Sequence, residues 1–199
     1  MALLIGATRH PSGAASPIRW LLRACLLCVL LCDGRGAAAQ AVEHAELEWQ
    51  VKAAYLYKFG SYIEWPPASF ASVDDSIKIG ILGADALADA LLKISAGRTI
   101  NGHSVSVRKL RREDAIVGLN VLFIGKGVRL ADILAAVRGQ PVLTVTDTED
   151  ALAAGSMINF VIVDGKLRFE VAPRAAVLGN LAISARLLAV AHRVAAGPS

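Results

Sequence analysis

Two short turns constrain the fold of this chain more than any other sequence feature. Asn101-Gly102 and Asp164-Gly165 each lie between two runs that read as extended strands. Such a pair predicts a tight β-hairpin, because both of its residues tolerate a positive φ. Other strand-like runs alternate with helical patterns along the chain. The sequence therefore predicts an α/β fold, a single-domain three-layer sandwich with a mixed β-sheet flanked by helices.

The first predicted helix covers residues 43–61. Its apolar residues recur at spacings of four and three, which is typical of one helix face, and we expect that face in the core. The residues of this face are Leu47, Val51, Tyr55, Phe59 and Tyr62. Glu48 and Lys52 form an i,i+4 pair on another side. Near the other end of the chain, Ser184 is predicted to cap a final helix that runs to about Ala195.

Residues 1–39 have the pattern of a secretory signal peptide. Arginines accompany an apolar run at residues 24–31, and the small residues Ala37-Ala38-Ala39 follow. The run is shorter than the roughly 20 residues that a membrane span needs, although an uncleaved N-terminal anchor is the alternative. No twin arginine occurs within residues 1–39. We predict a cleaved signal at 1–39, export to the periplasm by the Sec route, and one domain at 40–199.

Removal of that segment changes the charge and the cysteine content. The formal net charge of the chain is +4, and it falls to +1 because four arginines and one aspartate are lost. A domain so nearly neutral lacks the basic footprint of a nucleic-acid-binding protein. All three cysteines also lie within residues 1–39. The domain therefore has no disulfide, cysteine nucleophile or cysteine metal ligand.

One loop partly imitates a dinucleotide-binding motif. Gly125-Lys126-Gly127 follows a predicted strand, and Asp147 lies 20 residues after Gly127. The third glycine of the motif is missing, since Leu130 stands there. We expect an ordinary turn between a strand and a helix, and no cofactor.

Residue patterns that carry catalysis or bind metals are missing from the sequence. It contains no G-x-S-x-G, P-loop or H-E-x-x-H motif. The histidines His44, His103 and His192 lie on distant segments, and none has a second ligand at metal spacing. We therefore predict that the protein is not an enzyme and has no catalytic residues and no metal site.

Aromatic residues crowd into one short segment. Seven of the ten that follow residue 39 lie between Trp49 and Phe70. Either most of these rings pack in the core, or an exposed subset forms a recognition surface or a ligand pocket.

Three stretches of the sequence resemble the YfiR-like family of periplasmic proteins. They are VKAAYLYKF and IEWP at 51–59 and 63–66, GSMINF and GKLRFEV at 155–160 and 165–171, and ISARLL at 183–188. The resemblance covers roughly residues 49–191, in the order and spacing of the family.

This resemblance implies a small exported α/β domain without known catalytic activity. Characterised members repress a membrane-bound diguanylate cyclase by binding its periplasmic sensor region. An outer-membrane lipoprotein partner sequesters the repressor, which raises cyclic-di-GMP and biofilm formation, and members also form homodimers. Because some relatives carry cysteine pairs that this domain lacks, redox control is not carried over. Ala172 and Asn180 stand where relatives often have asparagine and glycine.

We predict a non-enzymatic repressor that shifts its cyclase partner toward an inactive state. The predicted partner-binding residues are Tyr57, Lys58, Tyr62, Glu64, Trp65, Pro66, Asn159 and Arg186. The alternatives are a periplasmic small-ligand-binding protein, with an aromatic or nucleotide-like molecule in an aromatic pocket, or an adaptor of a membrane sensor kinase.

Overall fold

A computed structural model describes residues 44–70, 72 and 75–196. All of these except His44 belong to one compact unit, Ala45–Ser199. The predicted signal peptide at 1–39 lies outside the described residues and stays a prediction. Within the described ranges, no helix combines the length and the apolar character needed to cross a membrane.

The described chain contains five α-helices, ten strands and one 3-10 helix. Helix α1 occupies residues 44–60. The elements that follow it are β1 (Ile63–Glu64), the 3-10 helix (Pro67–Ser69), β2 (Ile77–Leu82), α2 (Asp85–Ser95), β3 (Thr99–Ile100), β4 (His103–Leu110), β5 (Val121–Ile124), α3 (Leu130–Ala136), β6 (Leu143–Thr146), β7 (Ile158–Val163), β8 (Lys166–Val171), α4 (Pro173–Leu178), β9 (Ala182–Ile183), α5 (Ala185–Val190) and β10 (Arg193–Val194).

Eight of the strands form one mixed sheet in the order β10-β8-β7-β6-β5-β2-β4-β3. The run from β4 to β7 is parallel throughout. In contrast, β3 and β8 run antiparallel to their hairpin partners β4 and β7. Strands β1 and β9 form a separate antiparallel ribbon. The parallel run places the carboxyl ends of β2, β5 and β6 at one edge of the sheet.

Helices cover both faces of the central sheet. Alternate residues of a strand point to opposite faces. On the first face, Ile79 and Phe123 join a large core with residues of α1 and α2. On the second face, Leu122 joins a smaller core with Leu134 of α3. This arrangement confirms the predicted α/β fold, a single-domain three-layer sandwich with a mixed sheet.

Both predicted hairpins are present. Asn101 and Gly102 have φ angles of 50° and 87° between β3 and β4, and Asp164 and Gly165 have 50° and 69° between β7 and β8. Two consecutive residues with positive φ match the right-handed twist of the flanking strands. Each turn therefore holds the register of its hairpin.

The core face predicted for α1 is only partly correct. Exposure falls along the predicted row, from 57% at Leu47 and 37% at Val51 to 1% at Phe59. A row of i+4 steps turns about 40° per step around a helix, which amounts to about 120° from the first of these residues to the last. The buried face contains Ala53 and Leu56 instead.

The last predicted helix is too long. Ser184 caps α5 as expected, since its side chain accepts a hydrogen bond from the backbone N–H of Leu187, but the helix ends at Val190. The backbone N–H groups of His192 and Ala195 instead donate to carbonyl oxygens of β8, at 2.9 and 2.7 Å. Pairing of β10 with β8 has replaced the continuing helix.

Candidate functional site

The predicted partner-binding residues on α1 differ in exposure. Tyr57 is half-buried, and its hydroxyl donates a 2.8 Å hydrogen bond to the carbonyl oxygen of Thr99. Lys58, the next residue, is exposed. The helix therefore holds the Tyr57 ring in place and offers the Lys58 ammonium to solvent.

The segment after β1 is fastened to the sheet by Trp65. Its Nε1 donates a hydrogen bond to the carbonyl oxygen of Asn120, at 3.2 Å, and its ring meets Phe70 edge-on with centroids 6.5 Å apart. Pro66 is half-buried beside it, whereas Glu64 is exposed. Trp65 is thus held by packing and a hydrogen bond, whereas the side chain of its neighbour Glu64 is accessible to a partner.

The short ribbon brings three of the predicted residues onto adjoining elements. The backbone N–H of Ser184 donates to the carbonyl oxygen of Tyr62 at 2.9 Å, and Glu64 pairs with Ala182. Arg186 is exposed on α5, which begins directly after this ribbon. Tyr62, Glu64 and Arg186 therefore belong to one region of the surface, which we call the ribbon surface together with Trp65 and Pro66. Lys58 instead lies beside Val51 and Ile94, around a separate pocket.

Asn159 lies apart from the ribbon surface, in the sheet. It is 3% exposed. Its side-chain oxygen accepts hydrogen bonds from the Thr146 hydroxyl at 2.8 Å and from the Thr148 backbone N–H at 3.2 Å. No hydrogen bond from its amide nitrogen is present among the described residues. Asn159 is therefore a structural residue of β7 that also lines a cavity.

Sequence reasoning missed the role of Lys52. The expected pair with Glu48 is present at 2.7 Å, but Lys52 is 3% exposed rather than solvated. Its ammonium also bonds Asp147 Oδ2 at 2.8 Å and lies 4.6 Å from the centre of a Trp49 ring. The i,i+4 spacing indicated the contact with Glu48. The contact with Asp147, which follows β6, joins residues 95 positions apart and has no local signal in the sequence.

Asp147 follows β6 at the carboxyl edge of the sheet. Its side chain is 5% exposed, and only one of its two oxygens is paired. Oδ1 is buried and has no hydrogen-bond partner in the described part of the chain. An unpaired buried acceptor of this kind is uncommon in folded proteins.

A cavity of about 610 Å³ opens beside this ion pair. It lies at the carboxyl edge of the parallel strands, where open α/β sheets commonly bind ligands. Its lining combines charged and polar side chains with an apolar wall: Glu48, Lys52, Lys126, Asp147, Thr148, Glu149, Asn159, Phe160, Val161, Ile162 and Leu167. We call this space the edge cavity.

The loop with the partial dinucleotide motif forms part of this edge. A side chain at Gly125 would place its Cβ 2.5 Å from the carbonyl oxygen of Gly83. The close approach of the loops after β2 and β5 therefore requires glycine at position 125. Lys126 is exposed and reaches the edge cavity.

A second ion pair joins β8 to β10. Arg193 Nε and Nη2 donate to the two carboxylate oxygens of Glu170, each at 2.7 Å. These hydrogen bonds lower the pKa of Glu170 below its ordinary value of 4.5. Both carboxylate oxygens are paired here, so this ion pair has a structural role, linking β8 to β10.

The three histidines of the domain lie in unrelated surroundings. His103 Nδ1 is 2.8 Å from the carbonyl oxygen of Asp75, and its ring stacks on Phe70. His44 and His192 are exposed. Across the described ranges, no group of three or more histidine, cysteine, aspartate or glutamate side chains is placed to hold a metal ion.

Comparison with known proteins identifies the family of this chain. Residues 49–192 match the sequence model of the YfiR/HmsC-like family. The match takes in every element from the middle of α1 to α5, and with them the ribbon surface and all of the edge cavity except Glu48. No curated protein matches the chain. Because the family model covers more than two thirds of the 199 residues, the chain belongs to the YfiR/HmsC-like family.

Proposed function

We propose that this protein is a periplasmic regulator that represses cyclic-di-GMP synthesis. It binds the periplasmic sensor region of an inner-membrane diguanylate cyclase and carries out no catalysis of its own. The observation that carries this proposal is membership of the YfiR/HmsC-like family over residues 49–192. The resemblance seen in the sequence implies this role for the family.

The ribbon surface is the proposed contact with the cyclase. It carries two exposed charges of opposite sign, on Glu64 and Arg186. The half-buried Trp65 and Tyr62 lie among them, and their packing fixes the backbone beneath. Rigid aromatic anchors surrounded by charged side chains are typical of binding hot spots.

The proposed mechanism is a population shift. A regulator changes its partner's activity only by as much as its affinities for the active and inactive states differ. The protein would therefore bind the inactive arrangement of the sensor region more tightly. Sequestration by an outer-membrane lipoprotein would lower its free concentration and release the cyclase.

Binding to purified sensor regions tests this proposal. The protein, expressed from the full chain and purified from the periplasm, is titrated against the periplasmic regions of the host's membrane diguanylate cyclases and sensor kinases. Micromolar or tighter binding to a cyclase region supports the proposal. Binding to a kinase alone would support the adaptor alternative and contradict the cyclase role. No binding to any of these regions would also contradict the cyclase role.

Charge reversal locates the contact on the ribbon surface. Glu64→Arg places the wrong charge at an exposed position, and we expect cyclase affinity to fall about tenfold. The matched control is Glu113→Arg, an exposed glutamate on the loop after β4, at the opposite strand end from Asn120 and Trp65. Equal losses for both variants would contradict the proposed surface.

A further inference from the structure

Lys52 and Asp147 form a pair that the fold leaves incomplete. Lys52 donates to Asp147 Oδ2 at 2.8 Å and to Glu48 Oε1 at 2.7 Å. Asp147 Oδ1 is buried, and no described residue gives it a hydrogen bond. A charged acceptor that is buried without a donor destabilises the fold. Here that acceptor lies at the wall of a cavity.

The charges around the edge cavity favour a cationic donor. Its lining carries three carboxylates, on Glu48, Asp147 and Glu149, and two ammonium groups, on Lys52 and Lys126. The lining thus has one excess negative charge. The Lys52 ammonium already has two carboxylate partners, so the acceptor that remains is on Asp147. Because the terminal torsion of aspartate is broad, a small rotation presents Oδ1 to the cavity.

Another part of the cavity lining is apolar. Ile162 is 59% exposed there, and Leu167 and Val161 are half-buried beside it. A volume of about 610 Å³ fits a small organic molecule rather than a bare ion. A ligand for this site therefore combines one strong donor with a short apolar chain.

We propose that the edge cavity binds a small organic amine, with its ammonium group on the Asp147 carboxylate and its alkyl chain against Ile162 and Leu167. This ligand site is independent of the proposed cyclase partner. It can be tested with the purified protein alone, so its failure would leave the regulatory proposal intact.

Matched probes of one chain length test the charge requirement. Hexylammonium chloride and sodium hexanoate are titrated by calorimetry into protein expressed from the full chain and purified. We expect saturable binding and a raised Tm with hexylammonium, and neither with hexanoate. No saturable hexylammonium binding, or equal binding of both probes, would overturn the proposal.

Two variants test the two walls. Asp147→Asn removes the negative charge, and we expect hexylammonium affinity to fall about tenfold. Ile162→Ser tests the apolar wall at a position that is 59% exposed, so the change removes little buried surface. It should weaken hexylammonium about threefold to tenfold and leave propylammonium unchanged. Val117→Ser, at an exposed apolar residue outside the cavity lining, is the control. If Asp147→Asn does not fold, the Ile162→Ser result decides, and unchanged hexylammonium binding in that variant would overturn the proposal.

Discussion

Two of the long-range ion pairs in the described part of the chain have opposite character. Lys52 and Asp147 are 3% and 5% exposed, and one carboxylate oxygen has no partner within the described chain. Arg193 and Glu170 are 56% and 14% exposed, and both carboxylate oxygens accept a hydrogen bond. The more deeply buried pair is the less well satisfied one.

This difference separates a structural contact from a candidate site. In the Arg193–Glu170 pair both carboxylate oxygens already have a donor, and an exposed pair of this kind adds a little stability. A buried ammonium and carboxylate cost desolvation, which is offset only when the remaining hydrogen bonds are made. In the Lys52–Asp147 pair, the hydrogen bond to Asp147 Oδ1 is missing. Because a cavity lies beside this pair, a ligand there could supply the donor.

Replacing Lys52 should have the largest effect. Lys52→Met keeps the chain length but leaves Asp147 as a buried carboxylate with neither oxygen paired. We expect the free energy of unfolding to fall by about 3–5 kcal/mol, measured by urea denaturation. A change below about 1 kcal/mol would show that Asp147 does not depend on Lys52 as its partner, and the comparison would fail.

Replacing both members of the buried pair should recover much of that loss. Lys52→Met combined with Asp147→Leu removes both charges at similar volume. Such replacements are often neutral or stabilising, so we expect a coupling free energy of about 0.5–3 kcal/mol between the two sites. The double variant should fold and yet bind no hexylammonium. Strictly additive losses would argue against a direct interaction between the two charges.

Breaking the exposed pair should matter much less. Glu170→Gln removes the charge but keeps the shape, and it should lower the free energy of unfolding by about 0.2–1 kcal/mol, since the Arg193 side chain is largely in water. Urea denaturation at neutral pH measures it. A loss as large as that of Lys52→Met would erase the distinction between the pairs.

The pH dependence of that small effect gives the finest test. The Arg193 hydrogen bonds lower the pKa of Glu170 in the fold. Its contribution to stability is therefore present above the ordinary value of about 4.5, and it is lost as the pH falls from there through the lowered pKa. The stability difference between wild type and Glu170→Gln should shrink over that window. A difference that grows on acidification would contradict the assignment.

Local chemistry predicted the strands and the hairpins well. Residues 77–82, a largely apolar run in the sequence, form β2. Asn101-Gly102 and Asp164-Gly165 determine their turns through φ alone. These features depend on neighbours in the sequence, so the sequence contains what is needed to predict them.

Features that depend on distant partners were not predictable in this way. The periodicity of α1 could not show which side meets the sheet, and Leu47 proved exposed. The end of α5 depends on β8, whose carbonyl oxygens accept the backbone N–H groups of His192 and Ala195. The burial of Lys52 depends on Asp147, far along the chain. For the candidate site, the sequence indicated the pair Glu48–Lys52 and the strand-end position of Asp147, but not their meeting at one cavity.

The rate of cyclic-di-GMP synthesis tests the central claim most directly. Membranes containing a full-length host cyclase that binds the protein are assayed with increasing amounts of purified protein on the periplasmic side. The account predicts that synthesis falls to a plateau, and that Glu64→Arg shifts this response to about tenfold higher concentration while Glu113→Arg does not. A synthesis rate that stays constant although the protein saturates the cyclase would contradict the account.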